Sequence, residues 1–127
     1  MNLEKVTFGF FIVLAFTLNF GFVMGDLDDP AHHHVYELFA AIIVNLIALV
    51  LKFGERSHIG AVLLSTSLVA VLQLIIAASV WGIAVHVSED GLTPTVMASV
   101  VSLAGGALLA NVVSVILLVI DTVTFHR

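Results

Sequence analysis

Four long apolar runs, separated by three short polar interruptions, set the rhythm of this chain. A helix needs about 20 mainly apolar residues, at about 1.5 Å rise each, to cross a bilayer. Four stretches qualify: residues 6–24, 35–53, 59–85 and 96–123. The interruptions carry loop chemistry: Gly25 and Pro30 in the first, Gly54 in the second, Asp90-Gly91 and Pro94 in the third. No soluble domain fits between the spans. The pattern predicts an all-α membrane protein, residues 1–127 forming one compact bundle of four transmembrane helices. No A-x-A-like site precedes Gly25, so the first span is expected to be a retained helix and not a cleaved signal.

Polar positions inside the spans are few and ordered. On the second span His34, Glu37, Ala41, Asn45, Ala48 and Lys52 recur at three- and four-residue steps, which puts them on one helix face. The bulky Leu38, Ile42, Ile43, Leu46, Ile47 and Val50 are assigned to the opposite side. The polar face begins with an acid, holds an amide and ends with a base, so Glu37, Asn45 and Lys52 are candidates for lining an ion pathway. The other spans carry Asn19, Gln73 and Asn111. Gln73 and Asn111 join the pathway candidates, although amides in spans also bond one another and fix helix packing. On the fourth span Ala98, Ser102, Gly106, Ala110 and Ser114 form a small-residue stripe that admits close backbone approach. Thr17, Gly21 and Gly25 repeat it more briefly on the first. Tyr36 and Trp81 fall near one boundary, as interfacial aromatics do.

Composition agrees with a lipid environment: 61% of residues are hydrophobic and only 10% charged, against about a quarter charged in soluble domains. Cysteine is absent, which removes disulfides, thiolate metal sites and CxxC redox chemistry. A net charge of −5 with no basic patch argues against nucleic acid as a partner. The four basic residues Lys5, Lys52, Arg56 and Arg127 fall at the two termini and the second connection. The positive-inside rule then predicts cytoplasmic N- and C-termini.

That orientation places Asp26, Asp28, Asp29, Glu89 and Asp90 on the outer face, where they form an acidic mouth that concentrates cations. His32, His33, His34 and His86 share that level. They are candidates for a divalent metal such as zinc or nickel, or for a pH sensor, or are part of a solvated loop. Three adjacent helical imidazoles cannot reach one ion, whereas an extended loop can present His32 and His34 together. His34 lies three residues before Glu37, a spacing that lets the two pair on a helix. If so, acidification across pH 5–8 weakens the outer negative field.

No filter loop of the TVGYG type, voltage-sensing helix, nucleotide motif or catalytic triad is present in the sequence. Ser65 and Ser67 have no acid and histidine in catalytic order, and lone serines in membrane helices bond their own backbone. The chain is not expected to be an enzyme.

The segments "NLEKVTFGFFIVLAFTLNFGF", "HHHVYELFAAIIVNLIALVLKFGERSHIGAVLL" and "SLAGGALLANVVSVILLVI" resemble a family of small bacterial inner-membrane proteins without an assigned activity. The resemblance implies a compact four-span protein of the inner membrane and a role around cation transport. It supplies no site residues.

The expected function is a homo-oligomeric cation channel, or an accessory subunit of a channel for monovalent cations, potassium among them. Its partners are then the lipid bilayer and further copies of itself or a larger membrane complex. The alternatives are an outer-face metal or pH sensor, and a structural subunit whose polar residues only fix packing.

Overall fold

The computed structural model describes residues 3–25, 29, 34–53 and 57–125. They form α1 (Leu3–Val23), α2 (Val35–Lys52), α3 (His58–His86) and α4 (Pro94–Phe125). All four are long and apolar enough to cross a membrane. The shortest, α2, is about 27 Å long and the longest, α4, about 48 Å, at 1.5 Å per residue.

The helix boundaries have local causes. Pro94 opens α4, where its fixed φ suits a first turn and its missing N–H is not needed. The Thr93 hydroxyl before it accepts the Val96 amide at 3.2 Å. Ser57 caps α3 in the same way, accepting from the Gly60 amide at 3.0 Å. At the far end of α3, the amides of Val87 and Ser88 both converge on the Ile83 carbonyl, at 2.9 and 3.0 Å. The chain then turns at Gly91, whose φ of +66° suits a residue without Cβ. Gly25, at φ +99°, follows α1 in the same role.

Each helix packs against two neighbours, in a ring α1–α2–α3–α4–α1, with the α3–α4 pair the most extensive. Successive helices joined by short connections run antiparallel. The α1–α2 and α3–α4 connections therefore share one end, called here the acidic end. The α2–α3 connection lies at the other, the terminal end.

The inward residues follow one rule. They are Phe8, Ile12, Ala15, Asn19 and Phe22 on α1 and Leu38, Ala41, Asn45, Ala48 and Lys52 on α2. On α4 the series runs Met97, Val100, Ala104, Ala107, Asn111 and Ser114. Alternating steps of three and four keep one seam turned to the partners, as in bundles of nearly parallel axes. Leu38, assigned by sequence to the far side of α2, belongs to this inward seam and is fully buried. It stands one turn from Ala41 and two from Asn45, on their side of the helix.

Two apolar clusters fill the interior. The larger, toward the acidic end, includes Phe22, Leu38, Leu74 and Met97 and reaches inward to Ala41, Ala70 and Ala107. The smaller, toward the terminal end, is Phe8, Ile12, Ala48 and Leu63. Outward positions such as Phe10, Ile43, Leu72 and Leu109 are large, apolar and exposed. Helices apolar on every side belong in an apolar surrounding, and the bundle has the character of a multi-pass membrane protein.

Candidate functional site

At the acidic end His34, His86, Glu89 and Asp90 are exposed, while Asp29 is partly buried. Asp26, Asp28, His32 and His33 lie outside the described residues. Among the described residues no three histidine or acidic side chains come together closely enough to hold a metal ion.

Glu37 does not pair with His34. His34 precedes the helix in an extended conformation, and the Glu37 amide bonds its carbonyl at 3.0 Å. The Glu37 carboxylate instead lies across the backbone of Gly21 on α1, filling the space a Cβ would take. The glycine makes the room, and the acid is held half-buried in the α1–α2 contact.

Gln73 is placed in a similar way. Its amide occupies the Cβ position of Gly106 on α4, with Cδ 2.9 Å from that point. It therefore sits in the α3–α4 contact. Gly106 and Ser114 are the members of the α4 stripe that meet named neighbours across the bundle. Ser102 is exposed, and Ala98 and Ser102 border an open groove of about 610 Å³ with Pro94, Thr95 and Ser99. The reason is periodic. A strict four-residue step turns about 40° per repeat on a 3.6-residue helix, so the stripe winds off any single contact face. Ala110 is accordingly only partly buried.

The remaining amides gather in the interior. Asn19, Asn45 and Asn111 are fully buried, as are Ser67 and Ser114. The expectation that the amides bond one another is not met. Asn45 Nδ2 donates to the Ala41 carbonyl of its own helix at 2.8 Å, which leaves Oδ1 unpartnered. Neither side-chain atom of Asn19 or of Asn111 has a partner. Ser67 also departs from the rule for lone serines: its Oγ makes no bond, whereas Ser65 bonds the Ala61 carbonyl at 3.0 Å. Ser114 pairs with the Thr66 hydroxyl across the α3–α4 contact.

Depth separates Gln73 from the deeper amides, and Asn45 and Asn111, near one level, stand on helices that are not neighbours in the ring. Gly21 meets Glu37, Gly9 meets Leu118 at 3.3 Å from its Cβ position, and Gly106 meets Gln73. Carrying these contacts along antiparallel helices brings Asn45, Ser67, Asn111 and Ser114 to within about one turn of a common level. Asn19 lies further toward the acidic end, and Gln73 further still. Sequence reasoning found three of the four amides as pathway candidates but passed over Ser67. Its signal was the α3 series Gly60, Leu63, Ser67, Ala70 and Leu74, which repeats the seam of the other helices.

Lys52 closes the terminal end. It is buried, and its ammonium stands 4.5 Å from the centre of the Phe8 ring, within reach of a cation–π attraction. Nearby, Lys5 and Asp121 join α1 to α4 in an ion pair of 2.9 Å.

No curated protein and no solved structure matches this chain. Residues 32–122 match the profile of a family of unknown function, DUF6394. That stretch holds α2, α3 and nearly all of α4, and it leaves α1 with Asn19 and Gly21 outside. With most of its length matched, the chain belongs to the DUF6394 family.

Proposed function

We propose that the protein is a non-enzymatic, multi-pass subunit of the bacterial inner membrane, with cytoplasmic termini, that serves monovalent-cation transport within a homo-oligomer or larger complex. One observation carries the reading: the ends of the bundle differ in charge. Glu37, Glu89 and Asp90 share an end whose connections contain no Lys or Arg. Lys5 and Lys52 belong to the other. The positive-inside rule makes the acidic end the outer one. A one-signed field there raises the local cation concentration.

The packed interior favours an accessory role over a pore through a single bundle. Phe8, Ile12 and Leu63 are at most 1% exposed, and Lys52 stands behind them as a positive charge at the inner exit. Any conducting path then runs between subunits or through a partner.

Two measurements test this. Liposomes containing the purified protein alone, with monomer content checked by crosslinking, are expected to pass no rubidium through monomers. Cells lacking the protein are expected to take up rubidium at an altered rate, and unchanged uptake would overturn the proposal. Glu37→Gln separates the cation role from a purely structural one. The swap keeps the shape that fills the Gly21 notch, so stability should hold while the effect on uptake falls.

A further inference from the structure

The apolar core is interrupted at one level, and polar side chains with unpartnered atoms stand at the interruption. The larger cluster stops at Ala41, Ala70 and Ala107, and the smaller begins at Ile12, Ala48 and Leu63. Between these limits the inward polar positions are Asn45 on α2, Ser67 on α3, and Asn111 and Ser114 on α4, beside the apolar Ala15 and Val44. We propose that this interior belt is an occluded binding site for a partly dehydrated monovalent cation, with Asn45 Oδ1, Ser67 Oγ and Asn111 Oδ1 as its protein ligands.

Three features carry the assignment. All three ligand residues are fully buried, and each of the named oxygens lacks a hydrogen-bond partner. A buried polar atom left unpaired costs about 1–3 kcal/mol, so a fold that keeps several at one level has a use for them there. The second feature is the chemistry of the donors. At the level of the belt the buried unpartnered side-chain atoms are three oxygens and one nitrogen, Asn111 Nδ2. Asn45 has already given its nitrogen to the Ala41 carbonyl and presents only the oxygen. An excess of acceptors suits a cation. The oxygens are neutral amide and hydroxyl groups, with no carboxylate or imidazole at that level. This fits a weakly hydrated monovalent ion, as carbonyl oxygens do in potassium filters, and disfavours divalent and transition metals.

The third feature is closure. The residues that border the belt are small and fully buried: Ala15, Ala41, Ala48, Ala70 and Ala107. Phe22, Leu38 and Leu74 seal it toward the acidic end, and Phe8, Ile12 and Leu63 toward the terminal end. Lys52 lies behind the second seal, over the Phe8 ring. Toward the acidic end Asn19 stands as the next inward amide. Water completes the coordination shell beside the three protein oxygens.

The site deepens the cation-transport reading and rests on it for its physiological use. The test reads binding without transport. Thermal unfolding of the purified protein in detergent is followed against KCl, RbCl and NaCl, with choline chloride holding ionic strength constant. A ligand that binds only the folded state raises the transition saturably, and at least one alkali cation should do so where choline does not. Asn111→Leu and Ser67→Ala should each weaken that apparent affinity about tenfold or more, the loss of one charge-assisted contact. Ser79→Ala, an exposed hydroxyl on the same helix, should leave it unchanged. If Asn111→Leu does not fold, Ser67→Ala decides, because it removes a single atom. Equal stabilisation by choline, or an unaltered cation response in Ser67→Ala, overturns the site. Altered rubidium uptake in cells lacking the protein would then still stand, so the two failures are distinguishable.

Discussion

Gly106 is a glycine because the side chain of Gln73 already occupies the place of its Cβ. Adding a methyl there sets it 2.9 Å from Gln73 Cδ and Nε2, closer than real contacts allow. Gly106→Ala should therefore destabilise the bundle by about 1–2 kcal/mol. In a Gln73→Ala background the same change should cost much less, and a double-mutant cycle of unfolding in detergent measures the difference. Gly21 and Glu37 form a similar notch on the opposite pair of helices, but there only one carboxylate oxygen crowds the position, with Cδ at 3.4 Å and Oε1 at 3.9 Å. Gly21→Ala should leave stability within about 0.5 kcal/mol, in the range of ordinary tolerated substitutions. Its effect should appear in the position of Glu37, read as a change in cation uptake. Neither notch could be read from sequence. Gly21 and Gly106 were visible only as members of small-residue stripes, and each partner is an amide or acid on a helix distant in sequence or across a turn.

At the scale of the helix, caps and end charges set where each element begins. Ser57→Ala removes the acceptor for the Gly60 amide and should lower stability by about 1 kcal/mol. Hydrogen exchange should accelerate in the first turn of α3, and unchanged exchange there would show the cap to be dispensable. The Lys5–Asp121 pair, with side chains 24% and 20% exposed, ties α1 to the far end of α4. Its net worth, discounted for solvent screening, is at most about 1 kcal/mol. Asp121→Asn should accordingly cost less than the cap, and a cycle with Lys5→Met isolates the pair. The second helix shows why spacing alone misassigned Leu38. Glu37 and Leu38 are neighbours about 100° apart, and the inward direction follows Leu38, Ala41, Asn45 and Ala48. Glu37 flanks that seam and reaches α1 from its edge.

At the scale of the whole molecule, the one-sided charge distribution predicts topology in the membrane. The chain has no native cysteine, so single cysteines report cleanly. Ser88→Cys, in the connection at the acidic end, should be labelled by a membrane-impermeant maleimide in spheroplasts. Ser57→Cys, at the opposite end, should react only after the membrane is opened. The reverse pattern would invert the orientation and remove the outer acidic mouth from the functional reading. The long outward rows of Phe, Leu and Ile mean that lipid competes with protein for every helix face. In lipid the bundle is held by packing and polar contacts more than by the hydrophobic effect. That gives the interior belt, and whatever it binds, unusual weight in the cohesion of the fold.

The four helices, their approximate ends and the separation of charge between the two sides followed from the sequence alone. Hydropathy over about 20 residues and the chemistry of Pro, Gly and Ser at boundaries are local properties, readable without knowing what each helix touches. Membership of the DUF6394 family likewise rests on the linear sequence of residues 32–122. Depth and facing were decided only in three dimensions. The register between antiparallel helices depends on which glycine receives which side chain, and no local pattern encodes that choice. It set the pathway candidates Glu37 and Gln73 against Gly21 and Gly106 in helix contacts. It also brought Asn45, Ser67 and Asn111, from three separate helices, to one interior level between two apolar clusters.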